Sequence, residues 1–190
     1  MGAYAGFKNT TGRCNFIAGL CAGYNSSGGN HNVLIGYYAG FQNLGQSNVF
    51  FGFQSGVNNT TGCHNIFIGE CAGQNTTFGC NNVFLGKSTG FCNTFGNHNF
   101  FAGCCAGYSN TTGCYNFFAG FCAGMQNTIG KYNIAIGCRT GVYLTTGSCN
   151  VFIGSLAGRC VNIGSNNLLF GCSAGAGAVG LANQIGRAHV

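Results

Sequence analysis

The chain carries very little charge and lacks several residue types altogether. Its 190 residues include seven Lys or Arg and one acidic residue, Glu70, and they include no Asp, no Pro and no Trp. With a single acid, the chain has no carboxylate pair for glycoside hydrolysis and no acid to orient a Ser-His dyad. We therefore expect a protein that is not an enzyme and that uses no cofactor.

The few cations are scattered, which argues against two further classes of protein. The formal net charge is +6, but the basic residues form no contiguous patch in the sequence, so we expect no nucleic-acid partner. No apolar run approaches the ~18 residues that span a bilayer, so we expect no membrane insertion. So little charge also predicts poor solubility for a bare monomer.

What the chain does contain is a 17-residue repeat, numbered here as positions one to seventeen from an asparagine. Glycine recurs at positions five, nine and fifteen, and a small residue recurs at position eight. The units that begin at Asn32 and Asn167 are each a residue short, and both lose that residue in the polar segment before the third glycine. Ten units begin at Asn15, Asn32, Asn48, Asn65, Asn82, Asn99, Asn116, Asn133, Asn150 and Asn167.

The repeat predicts stacked strands. Glycines every few residues exclude helix, because each interior glycine costs a helix roughly 1 kcal/mol relative to alanine. The three residues after each asparagine are mostly β-branched or aromatic, so each triplet is expected to form one short strand. The predicted fold is an all-β parallel β-helix (β-solenoid) of about eleven rungs, forming a single repeat domain over residues 1–183.

The asparagines are predicted to form a structural ladder at one corner of the stack. Equivalent residues of successive rungs lie about 4.8 Å apart, and an Asn side chain both donates and accepts, so a column of them can hydrogen-bond along the stack. The alternative is that each Asn suits only its own turn.

Strand parity divides the apolar residues between two faces, because alternate side chains point in opposite directions. We assign positions two and four, with the small residues of position eight, to the interior. Position three is then a packing stripe on the opposite face, buried against other copies of the chain. Its phenylalanines are Phe50, Phe67, Phe84, Phe101, Phe118 and Phe152.

Two units carry a resemblance to a known group of proteins. Residues 65–79 (NIFIGECAGQNTTFG) and 116–130 (NFFAGFCAGMQNTIG) resemble the repeats of trimeric β-helical surface proteins, which include phage tail-fibre shafts and YadA-like adhesin heads. The resemblance implies a homotrimer that serves as a structural shaft or adhesive segment on a virion or cell surface, and so an extracellular location. Any receptor or glycan would bind to parts outside this chain.

The fourteen cysteines include no Cys-x-x-Cys pair, which argues against zinc ribbons and thioredoxin-like chemistry. Cys63 with Cys80, and Cys105 with Cys122, occupy the same column of adjacent rungs, at a separation that a disulfide can bridge. Both pairs are candidate inter-rung disulfides, and the alternative is small, half-buried thiols. His31, His64 and His98 share a column two rungs apart, too far to hold a metal ion within one chain.

A single-chain ice-binding solenoid is the alternative function. It would use a flat column of threonines in the loop, interrupted by Ser27, Leu44 and Asn162. Threonine is also ordinary turn chemistry at such a place. The column contains Thr10, Thr60, Thr77, Thr94, Thr111, Thr128 and Thr145.

The two ends of the sequence indicate an uncapped fragment. Met1 occupies the fourth position of a unit, and the register predicts the next asparagine at Asn183, after which residues 184–186 supply no apolar strand. Residues 185–190 match the translation of a sequencing-library adapter. We therefore expect residues 184–190 to be a tail that is not native.

Overall fold

The computed structural model describes residues 2–177 and 182–187, and it shows a parallel β-solenoid. One sheet contains eleven strands in sequence order, each paired in parallel with the next. The strands are β1 (Phe16–Ala18), β2 (Val33–Ile35), β3 (Val49–Phe51), β4 (Ile66–Ile68), β5 (Val83–Leu85), β6 (Phe100–Ala102), β7 (Phe117–Ala119), β8 (Ile134–Ile136), β9 (Val151–Ile153), β10 (Leu168–Phe170) and β11 (Ile185–Arg187). The predicted fold class is confirmed.

The rungs are also joined away from the sheet. Main-chain N–H groups of the turns donate to carbonyl oxygens of neighbouring rungs, as in Gly73 to Thr89 at 2.9 Å and His98 to Cys80 at 3.1 Å. These bonds matter because a turn-rich rung has few internal partners for its backbone polar groups. The described residues contain no helix, and hence none long and apolar enough to cross a bilayer.

The interior is a column of stacked rings, and the predicted assignment of the two strand faces is wrong. The phenylalanines of position three are fully buried within the single chain, and Phe67 stacks between Phe50 and Phe84 at ring-centroid distances of 4.9 and 4.7 Å. The position-eight alanines of the complete repeats are buried too, as expected. Positions two and four point outward instead.

The opposite wall of the rung explains why position three faces inward. A Cβ added to Gly73 would lie 2.5 Å from the ring of Phe67, so this glycine leaves the space that the ring fills. A large ring in most of the rungs, facing a wall of small residues and glycine, packs the narrow interior. If the side chains of positions two and four both faced inward, the interior would have no room for that wall.

The predicted register at the C-terminal end is also wrong. β11 pairs with β10 in the order Leu168 with Ile185, so Gln184 and not Asn183 stands in the asparagine column. The N–H of Gln184 donates to Oδ1 of Asn167 at 3.1 Å, and its carbonyl accepts from Leu168 at 2.7 Å. Main-chain bonds of this kind do not require an apolar side chain, so pairing continues past the last regular triplet.

Candidate functional site

The candidate site is the outer sheet face, defined as the side chains at positions two and four of strands β1 to β10. All of these residues are apolar, and none of them is buried. Phe16 is 60% exposed and Phe51 is 51% exposed. Phe100 and Phe117 stack on this face with ring centroids 4.8 Å apart, in register with the strands beneath them. Contiguous exposed apolar patches are uncommon on monomeric proteins and are typical of contact surfaces.

The outer sheet face is long, narrow and regular. Ten strands spaced about 4.8 Å apart extend over roughly 43 Å, and the two rows of side chains lie roughly 7 Å apart along the strand direction. Position six, just beyond the strand, adds exposed apolar residues such as Leu20, Tyr37 and Phe53. In the same column Glu70 and Lys87 form an ion pair at 3.0 Å, and the hydrogen bond from Lys87 to Glu70 raises the pKa of the Lys87 ammonium.

The asparagine column is a buried hydrogen-bonded ladder. The main-chain N–H of Asn99 donates to Oδ1 of Asn82 at 3.0 Å, and its Nδ2 donates to the carbonyl of Gly113 in its own rung at 2.8 Å. Asn99 accepts in turn from the N–H of Asn116 at 3.0 Å. Each side chain therefore bonds both within its turn and between rungs. The structure places all ten asparagines, Asn15, Asn32, Asn48, Asn65, Asn82, Asn99, Asn116, Asn133, Asn150 and Asn167, in this column.

A second polar ladder at position twelve was missed by the sequence analysis. Nδ2 of Asn110 donates to Oδ1 of Asn93 at 2.6 Å, and Nδ2 of Asn127 donates to Oδ1 of Asn110 at 2.7 Å. Oδ1 of Asn127 has no partner, because the next rung has Leu144 at this position. The available signal in the sequence is an asparagine that recurs three residues before the third glycine, inside the polar segment of the repeat.

The cysteines are all free thiols in the structure, so the two candidate disulfides stay predictions. Cys63 and Cys80 lie in adjacent rungs, and the N–H of Cys63 donates to Sγ of Cys80 at 3.1 Å. The sulfur atoms of Cys104 and Cys105 lie 3.5 Å apart. Burial, and then the hydrogen bond with Cys104, raises the pKa of Cys105 to about 11. The pair Cys105 and Cys122 thus includes one poorly ionised thiol.

We predict that Cys105 reacts slowly with iodoacetamide at pH 8. Thiolate is the reactive form, and a pKa about two units above the ordinary value of 9.0 lowers its population by a factor of about 100. Alkylation should be followed by mass spectrometry, with the exposed Cys138 as the internal control. Equal rates at the two positions would show that Cys105 is not held in its thiol form. As the pH rises towards 11, the two rates should converge.

From Thr60 to Thr145, the threonines of the column have their hydroxyl groups hydrogen-bonded within the stack, whereas Thr10 is exposed. Oγ1 of Thr94 donates to the carbonyl of Thr111 at 3.2 Å, and Oγ1 of Thr111 donates to that of Thr128 at 3.0 Å. These residues are half-buried, so the column offers few free hydroxyl donors to an external surface. In another column, His98 stacks on Tyr115 at 4.8 Å. Among residues 2–177 and 182–187, no group of three or more His, Cys, Asp or Glu is placed to hold a metal ion.

The chain is a cysteine-rich β-solenoid repeat protein, with rungs of about 17 residues and one apolar outer sheet face. Comparisons with protein-family models, with curated proteins and with solved structures give no match.

Proposed function

We propose that this chain is a non-catalytic shaft or adhesive segment of a phage fibre or cell-surface protein, and that it self-associates as a homotrimer through the outer sheet face. The observation that carries the proposal is the exposure of both apolar rows along β1 to β10. Three copies arranged about one axis would bury the three faces against one another. A stiff rod with main-chain bonds between all its rungs suits a shaft, and its place would be a virion or cell exterior.

The size of the outer sheet face supports self-association. The outer sheet face is a strip of roughly 43 by 10 Å, with a projected area on the order of 400 Å². The uneven surface of the side chains and the aromatic residues beside the strip add to this area. A standard interface buries about 800 Å² on each partner. The area of the outer sheet face, together with the exposed apolar residues beside it, therefore approaches the area that a stable interface buries on each partner.

The repeat and the lack of charge make another copy of the chain a suitable partner for the outer sheet face. Two outer sheet faces have the same spacing of about 4.8 Å, so their side chains can interdigitate along the whole length. No like charges meet across such a contact, because the outer sheet face has no ionisable residue. With 4% of its residues charged, the chain has few other means of keeping this surface hydrated.

Lysines on the outer sheet face are expected to break the assembly. We predict that Ile68→Lys combined with Ile136→Lys converts the trimer to monomer, because association would bury two ammonium groups per chain without partners. These isoleucines are 40% and 37% exposed, so the monomer can accept lysine at both. The mass should be measured by sedimentation velocity.

The matched control is the pair Ile129→Lys and Ile163→Lys. Both residues are exposed, at 48% and 62%, and both lie in the loop column at position fourteen, outside the outer sheet face. This variant should remain trimeric. Dissociation of both variants would point to a general effect of charge, and a monomeric parent protein would contradict the proposal. A dimer would keep the contact surface but contradict three-fold assembly.

A further inference from the structure

A cavity of about 280 Å³ opens on the solenoid surface in the rungs that begin at Asn116, Asn133 and Asn150. It shares no residue with the outer sheet face. We call it the arginine pocket, and its wall includes Cys122 at position seven. The other lining residues are Met125, Gln126, Arg139, Val142, Tyr143 and Arg159.

The arginine pocket lies in rungs that carry no aromatic ring at position ten. Several other rungs carry a ring at position ten, and in the unit of Asn32 a ring at position seven packs on it: Tyr38 lies on Phe41 at 4.9 Å. Across rungs, Phe91 stacks on Tyr108 at the same distance. Position ten instead holds Met125, Val142 and Arg159 in the units of the pocket. Thinner or more flexible side chains leave a space at the surface.

The two arginines of the pocket have no acidic partner in the part of the chain that the structure describes. The single acid of the sequence, Glu70, is paired with Lys87. Nε of Arg159 is buried and makes no hydrogen bond, while its guanidinium lies over the ring of Tyr143 at 5.8 Å from the centroid. A buried donor without an acceptor is uncommon, because leaving it unpaired is costly.

The second guanidinium reaches the same space. Burial raises the pKa of the Cys122 thiol, and the positive charge of Arg139 opposes that rise. Arg139 lines the pocket from position seven and is exposed, whereas Arg159 lines it from position ten and is half-buried. Two unpaired cations therefore flank a cavity that opens to solvent.

We propose that the arginine pocket binds a small organic oxyanion, with its carboxylate or phosphate group between Arg139 and Arg159. Guanidinium groups present planar pairs of N–H donors that match both anions, and neither arginine has an acidic side chain that competes with the ligand. Gln126 and Tyr143 supply polar groups for the remainder of the ligand, beside the apolar Met125 and Val142. The volume lies near the lower limit for ligand pockets, so it admits one small molecule or the charged end of a larger one.

Titration of the full chain with three probes tests the proposal. Inorganic phosphate and glucuronate carry the two candidate anionic groups, and glucose is the neutral control. Binding should be followed by calorimetry and by the NMR signal of the Arg159 Nε–H group. We expect saturable binding of at least one anion, with a Kd of about 1 mM or tighter, and none of glucose. Tighter binding of phosphate or of glucuronate would show whether the pocket prefers a phosphate or a carboxylate group.

Three arginine substitutions separate a built pocket from general attraction to a cationic protein. Arg139→Gln and Arg159→Gln should each weaken binding about tenfold or more. Arg13→Gln changes the net charge equally at an exposed position outside the pocket, and it should leave the Kd within about twofold. Because Arg139 is exposed, its variant should fold even if the Arg159 variant does not. Equal losses in all three variants, or no saturable binding of either anion, would overturn the proposal.

Discussion

Replacing Phe67 by alanine should lower the free energy of unfolding by about 3–5 kcal/mol. Phe67 is fully buried and stacks on Phe50 and Phe84, so the substitution removes two ring contacts and leaves a cavity in a narrow interior. The glycine wall cannot collapse into this space, because Gly73 has no side chain to move. Urea unfolding followed by circular dichroism would measure the change.

The control for the core substitution is Phe78→Ala. Phe78 also stacks on a neighbouring phenylalanine, Phe95, at 5.0 Å, but it is 48% exposed. Its loss should cost less than about 1.5 kcal/mol, the range of an aromatic pair outside a core. Equal effects of the two substitutions would mean that position three is not interior. Because repeat arrays can unfold in parts, both variants should be compared over the same transition.

Replacing Gly103 by alanine should be as damaging, by about 3 kcal/mol or more. Gly103 follows β6 directly and has a φ of +122°, a conformation that L side chains rarely adopt. An added Cβ would lie 2.5 Å from the carbonyl oxygen of Gly120 in the next rung. Relief of that overlap requires the two rungs to separate, which breaks main-chain bonds on both sides of the corner. Thermal unfolding should show the loss as a lower Tm.

Gly28→Ala is the matched control for the corner substitution. Its added Cβ meets nothing closer than Thr11 Oγ1 at 4.0 Å, and its φ does not require glycine. Alanine here should be neutral or stabilise by about 0.4–1 kcal/mol, since it restricts the unfolded chain. Strong destabilisation by both substitutions would contradict the view that close approach between rungs explains the glycine column at position five.

The position of every strand from β1 to β10 followed from the sequence. Each strand occupies the three residues after an asparagine, as the repeat indicates, because a fixed period leaves one in-register way to stack the rungs. The predicted register was wrong only at Asn183. There the asparagine column could continue at Asn183 or, one residue later, at Gln184. The N–H of Gln184 donates to Oδ1 of Asn167, and its carbonyl accepts from the N–H of Leu168. These bonds select Gln184, and no side-chain pattern in the sequence indicated this choice.

The inward face could not be read from parity alone. Positions two, three and four are all apolar, so alternation separates the two sets without saying which is inside. The glycine at position nine carried the missing information: Gly73 makes room for Phe67 across the rung, a contact between residues six apart. The sequence also did not indicate the turns at positions seven and seventeen. These positions adopt positive φ, but they are occupied by varied residues such as Cys105 (57°) and His98 (57°) and not by glycine.

The reversal of the faces changes the surface to which self-association is assigned. The stacked phenylalanines, including Phe84 and Phe101, stabilise one chain and are unavailable to a partner. The outer rows, including Ile66 and Phe170, carry the accessible apolar side chains of the strands. The arginine pocket lies outside these rows, so ligand binding there and assembly can be tested independently.

The mass of the full chain in solution, measured by light scattering with and without reductant, tests the central proposal most directly. We predict about 59 kDa, three times the 19.6 kDa of one chain, in both conditions. The reductant should have no effect, because apolar contacts and not intermolecular disulfides hold the copies together. A soluble monomer of 19.6 kDa would contradict the account and leave the outer sheet face without its proposed partner.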